Sequence, residues 1–472
     1  MNTTEVIRNS IVIQDEDRKL KLREKIACVI GGMTGTFHFQ MIQMYLLYFY
    51  TDVMKINAAY VAGLFLFARV IDAFLAPAFG ILVDKITTPW GKYKPWFVIL
   101  TVPTMIFGWL TFTNVNLSPN GKLIYATVTY LIYSVGGALG QGPGAAMTPA
   151  ITKRVDERVS IGIWSYVLVM VGAMVVVIGA QPLYKGLGGG NEAKGFSLLM
   201  GAAAVIGILI SIFQVVTLKE RYVVQTSKDE KKPSFVEMFK AVFTNKTAVI
   251  VYLFVFANNL ANGIRSAVMI HYFKYYFHND GLMVTMGIVG LVPILIGVMF
   301  SSKVTKLIGI KNNVLVSAIL NIASMVSIIF VPANSTGVVI FLGVSVIASL
   351  FNGFSSPAQS AMMPAAMDYT EWKSGMNVNA FMGSIQGFMQ TFATALSGAI
   401  AAGALAFVGY VPGVEQSSGT IFGLKVLMSI LPAIIISLTL SVAWFDLTED
   451  KQAQITKELA ERRKNAEANT TD

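Results

Sequence analysis

Cysteine is almost missing from this chain of 472 residues: Cys28 stands alone. One cysteine builds neither a disulfide framework nor a cysteine metal cluster. Histidine is nearly as scarce, and His38, His271 and His278 are scattered without the spacing of a metal site. Charged residues make up 13% of the chain, against about 25% in a soluble protein. No nucleotide-binding loop is present, so ATP drive is not indicated. Met1 to Lys25 is polar and lacks the apolar core of a signal peptide, so it reads as a cytoplasmic tail. A net charge of +10 does not argue for nucleic acid, because the basic residues cluster in short loops and tails. An enzyme, a cofactor or a metal centre is therefore not expected.

What the chain has is hydrophobic length. Hydrophobic residues make up 54% of it, and the mean hydropathy is +0.62. Runs of about 20 apolar residues recur, each long enough to cross a hydrocarbon core about 30 Å thick. An all-α membrane protein of twelve spans is predicted, at 26–50, 58–83, 95–114, 121–148, 159–184, 196–218, 247–276, 282–302, 312–332, 336–362, 376–408 and 420–445. The polar segment 219–246 divides them into two six-helix bundles, 26–218 and 247–445, with tails at 1–25 and 446–472. The loops at 84–95, 150–160, 219–246, 302–312 and 363–375 hold about seventeen Lys and Arg, and the opposite set about five. Cytoplasmic loops carry that excess, so both termini are expected in the cytoplasm. The 454–464 stretch has the pattern of a surface helix without an evident task.

Two charges interrupt the second span. Arg69 and Asp72 are three residues apart, so they share a helix face and can pair. A charge at bilayer depth is costly and marks a functional site by default. The same span leads into the short basic turn Trp90-Gly91-Lys92-Tyr93-Lys94-Pro95-Trp96. A buried ion pair entering a basic turn suits a solute transporter better than an anchor.

The halves repeat. Pro143 to Ala150 ends span four and Pro357 to Ala365 ends span ten, each before a short charged stretch, 153–158 and 368–373. Spans one and seven close alike, in Tyr48-Phe49-Tyr50-Thr51-Asp52 and Tyr276-Phe277-His278-Asn279-Asp280. The loops after spans two and eight are both lysine-rich turns with glycine. Each piece alone is a generic loop; three at matching offsets make a six-plus-six repeat, the layout of major-facilitator transporters.

From Lys21 to Phe445 the sequence resembles the glycoside–pentoside–hexuronide:cation symporters, whose type member is melibiose permease. The resemblance rests on Tyr48 to Val53, on Ala68-Arg69-Val70-Ile71-Asp72-Ala73 with Pro77 and Gly80, on Trp90 to Trp96, on Asp368-Tyr369-Thr370-Glu371, and on Gly409 to Ser417. It implies the major-facilitator fold and alternating access. Residue by residue, however, the family's chemistry is missing. Asp72 matches the first sodium carboxylate, but the second falls on Ala76, an asparagine on Leu75 and a threonine on Ala138. A sodium site needs several hard oxygen ligands, and most are lost. The family's sugar ligands fall on Thr36, Gly35, Gln141, Ala145, Tyr166 and Thr391. Galactoside specificity and sodium coupling are therefore not carried over.

The polar residues within the spans take their place as candidates. Thr36, His38, Gln40 and Gln43 lie in span one, Gln141 in span four, and Trp164 and Tyr166 in span five. Span seven offers Asn258, Asn259, Asn262 and Arg265, span ten Asn352 and Gln359, and span eleven Asn379, Gln386, Gln390 and Thr391. Such amides serve sugar hydroxyls, and serve equally as interhelical glue. Superposing spans one and seven on Asp52 and Asp280 sets Arg265 beside Phe37, at the depth of Thr36. No in-span carboxylate matches Arg265, and arginine suits anion recognition. A uronate or sulfonate substrate supplies the missing charge; the alternative is snorkelling to the outer interface or pairing with an acidic residue elsewhere in the chain. His38 is a candidate proton carrier or, more blandly, a hydrogen-bonded packing residue.

The expectation is a bacterial inner-membrane secondary transporter, monomeric, importing a sugar, glycoside or sugar acid. Coupling, if present, is to protons through Asp72 with Arg69. The contacts expected for the solute are Thr36, His38, Gln40, Gln141, Tyr166, Asn262, Arg265, Gln386 and Thr391. The alternatives are an uncoupled carrier or exchanger of the same fold, and a non-transporting sensor or lipid-handling relative.

Overall fold

The computed structural model describes residues 19–85, 91, 93–152, 154–221, 235–376, 378–447, 451–455, 457–459 and 461–462. No strand forms among them. Nine of the described helices are long and apolar enough to cross a membrane. The first three spans complete the twelve. The first runs Leu22–Met41 and continues through π turns at Ile42–Leu46 and Phe49–Val53. The second is Ala58–Lys85. The third is two pieces, Lys94–Ile99 and Thr101–Thr111. Pro103 explains that break, because it has no N–H to give the Ile99 carbonyl. Pro432 stands in the same relation to the break at Ser429, between Ser418–Met428 and Ile430–Ser437 in the twelfth span.

The chain forms two compact units, Met1–Lys228 and Asp229–Asp472. In the first unit, span one packs on five and six, two on four, and three on four and six. In the second, span seven packs on eleven and twelve, eight on ten, and nine on ten and twelve. The pairings correspond one to one, so the repeat in sequence is a repeat in packing. Without a hydrophobic force between helices in lipid, close approach depends on small residues. Spans eight and ten cross at Gly297 and Gly353, where a Cβ on Gly297 would stand 2.8 Å from Gly353 Cα.

In the first unit an aromatic cluster closes one end. Tyr184 stacks on Phe196 at 4.0 Å, and Phe112 stacks on Phe196 at 5.7 Å. A charged network ties the other end. Arg221 pairs with Glu24 at 2.5 Å and Lys25 with Glu157 at 3.5 Å. Glu220 accepts from the backbone N–H groups of Tyr93 and Lys94, both at 2.7 Å.

Span ten departs from expectation. It runs unbroken as Ser335–Ser374, so the Asp368-Tyr369-Thr370-Glu371 stretch is helix and not loop. Pro357 and Pro364 lie inside it, and the helix ends only at Gly375, whose φ of 69° suits glycine. The C-terminal tail is docked there. Ile455 and Leu459 are buried in one cluster with Met363, Ala366 and Val242, the last from the helix Phe235–Phe243. The Trp372 indole donates to Glu458 Oε2 at 2.6 Å, and Arg462 donates to the Trp372 carbonyl at 3.1 Å.

That contact predicts a pH dependence. The hydrogen donated by Trp372, with a second from Gln454, holds the Glu458 carboxyl below the ordinary carboxylate range. A carboxylate lowered on folding contributes above its unfolded range and stops contributing as pH falls through the folded value. Amide exchange in 451–462, corrected for its intrinsic pH effect, should therefore accelerate on acidification. Glu458→Gln should abolish that response. Protection unchanged down to pH well below the carboxylate range would reject it.

Candidate functional site

The second and fourth spans build a charged site in the first unit. Asp72 Oδ2 accepts from Arg69 Nη1 at 3.0 Å and from Ser134 Oγ at 2.6 Å. Arg69 Nη2 donates to the Tyr130 hydroxyl at 2.9 Å. The pairing expected from the i, i+3 spacing is thus made, and two fourth-span residues that sequence reasoning passed over complete it. Tyr130 and Ser134 are four apart, so one face of the fourth span carries both. Asp72 is 8% exposed. Its Oδ1 and the Arg69 Nε are buried without a partner.

The other first-unit candidates lie on the first, fourth and fifth spans. Thr36 and Gln40 are half-buried on the first span. His38 is 1% exposed, its Nδ1 3.0 Å from the Thr34 carbonyl and its ring beside Gly108 of the third span. The ring is packed into the bundle. Tyr166 is 65% exposed on the fifth span. Gln141 belongs to the fourth-span helix, and its side chain lies outside the described residues, as does that of Ala76.

In the second unit, the seventh span is the continuous helix Lys246–Tyr275, buried on most of its circumference. Asn262 is exposed, and Asn259 and Ser266 are half-buried in the same stripe, at the spacing of one helix face. Asn262 donates only to its own helix, to the Asn258 carbonyl at 2.9 Å. Arg265 is half-buried and adjoins this stripe. Its Nε is buried without a partner, and no described carboxylate faces it. Gln386 is half-buried and Thr391 exposed on the eleventh span. His271, by contrast, is fully buried against the Tyr410 ring, at 5.2 Å between ring centres.

A family model described as MFS/sugar transport protein matches residues 29–448. The chain is 30% identical over 396 residues to the isoprimeverose transporter of Lactiplantibacillus pentosus, covering 84% of this chain and 82% of that one. It is 29% identical to the uncharacterized symporter YnaJ of Bacillus subtilis, covering 96% and 98%. It is 28% identical to the inner membrane symporter YicJ of Escherichia coli, also covering 96% and 98%. The fold matches the solved nucleoside transporter NupG with a TM-score of 0.60 at 14% identity, covering 90% of this chain and 100% of that one. It matches a solved D-xylose-proton symporter with a TM-score of 0.54 at 12% identity, covering 83% and 98%. A twelve-span chain with two matching halves, an ion pair inside a span and these relatives is a transporter and not an enzyme. The chain belongs to the MFS sugar-transport family, within the glycoside symporter type.

Proposed function

We propose that this transporter imports a glycoside or sugar acid across the bacterial inner membrane by alternating access, coupled to protons through Asp72. The observation that carries the coupling is the Arg69–Asp72–Ser134 arrangement, a carboxylate buried within a span and held by one oxygen. The name of the L. pentosus relative supports a saccharide substrate, and the symporter names support coupling. The basic loops support cytoplasmic termini. Arg265, with the exposed amide Asn262 beside it, supports an anionic group on the substrate. Transport in sodium-free vesicles, with and without a pH gradient, tests the reading. Accumulation that ignores the gradient rejects proton coupling.

A second reading has its own observation. Arg69 is held by Tyr130 as well as Asp72, which also suits a structural pair in an uncoupled carrier or exchanger. Counterflow without accumulation separates it from a symporter, and its absence would favour a sensor.

Sodium and lithium should leave transport unchanged. Of the family's ligand positions only Asp72 keeps a carboxylate, while Ala76, Leu75 and Ala138 offer no side-chain oxygen. Sodium that tightened substrate binding tenfold, about 1.4 kcal/mol, would mean a cation site elsewhere.

A further inference from the structure

We infer that the second unit holds one ordered water molecule between its seventh, ninth, tenth and twelfth spans, bound by Asn258 and Gln359. A niche lies there in which the centre of a water molecule has about 10 Å³ to move. That is room for about one water and for no sugar. Its wall is unusually polar for a membrane bundle: Asn258, Ser317, Asn321, Asn352, Gln359 and Thr439 all face it.

The hydrogen bonds around the niche leave a definite deficit. Asn321 and Asn352 satisfy each other, at 2.8 and 3.3 Å. Ser317 gives its hydroxyl hydrogen to the Phe351 carbonyl at 2.9 Å, and Thr439 gives its own to the Ile436 carbonyl at 2.6 Å. Asn258 donates to the Phe254 carbonyl at 3.3 Å, and Gln359 to the Ser355 hydroxyl at 2.7 Å. No described residue donates to Asn258 Oδ1 or Gln359 Oε1. Two amide oxygens therefore wait for hydrogens, so the occupant must donate. Each amide nitrogen also keeps a second hydrogen to give, so the occupant must accept as well. Water does both. A cation accepts nothing and would find no carboxylate in this wall. The inference stands on the second unit alone and does not depend on what is transported.

The consequence is mechanical. The solvent molecule adds a polar link beside the side-chain packing of the seventh span on the ninth and twelfth, where Ala261, Met325, Ala433 and Ile436 are buried together. The full-length transporter should be imaged at a resolution that shows waters. A peak within hydrogen-bond distance of both Asn258 Oδ1 and Gln359 Oε1 is expected. An empty niche overturns the inference. So does a peak at coordination distances shorter than a hydrogen bond. Thermal unfolding in sodium chloride and in choline chloride provides an independent reading. Equal midpoints are expected for the wild type. A midpoint raised by sodium, and no longer raised in Gln359→Met, identifies a cation in place of water and overturns the inference.

Discussion

Asp72→Asn abolishes uphill accumulation of the solute and leaves counterflow partly intact. The amide keeps an oxygen for Ser134 and Arg69 but cannot take up and release a proton. Exchange of solute across the membrane needs only the conformational change, so it survives. Accumulation needs the titrating group. The measurement is uptake into vesicles with an imposed pH gradient, beside counterflow in the same preparation. Accumulation at the wild-type level removes Asp72 from the mechanism. If the pair is purely structural, the outcome differs in kind. Breaking a buried pair costs about 3–5 kcal/mol because the remaining charge is stranded. The variant would then express poorly, and Arg69→Gln on top of it would partly restore it. Since Arg69 keeps Tyr130 at 2.9 Å, the stranding falls toward the lower end of that range.

Arg265→Ala weakens binding of an anionic glycoside by a few kcal/mol, because truncating one partner of a buried charge pair leaves the other unpaired. The guanidinium Nε is buried without a partner in the unit that contains it, and no described carboxylate approaches. Charge on the substrate resolves both facts at once. A neutral analogue without the carboxylate or sulfonate should bind the wild type poorly and the variant about equally. Calorimetry in detergent across neutral and acidic glycosides measures this. A wild type that prefers neutral sugars, with that preference unchanged in Arg265→Ala, rejects the anionic reading and leaves the fold and family untouched.

Much of the molecule was legible in the sequence, and the physics says which parts. Twelve spans are visible because twenty apolar residues have few other uses. The Arg69–Asp72 contact is visible because both residues lie on one helix, where spacing dictates geometry. Contacts between helices are not. Nothing in span one tells which face of His38 meets the third span. Nothing in Tyr130 or Ser134 alone announces that Asp72 will lie opposite. The Asp368 to Glu371 stretch misleads because charge reads as loop, although no breaker stands between Pro364 and Gly375. The tail shows the same limit: its amphipathic pattern is plain, but its partner surface is made from two other segments.

The tenth span has a consequence of leverage. At a rise of about 1.5 Å per residue its forty residues make a rod of about 60 Å, twice the hydrocarbon thickness. A tilt of about 10° in such a rod, pivoting near its middle, sweeps its tip through about 5 Å. The C-terminal tail is fastened to that tip through Trp372, Glu458 and Arg462. A label on the tail would thus serve as a pointer on a dial, registering at a distance what the rod does inside the bilayer.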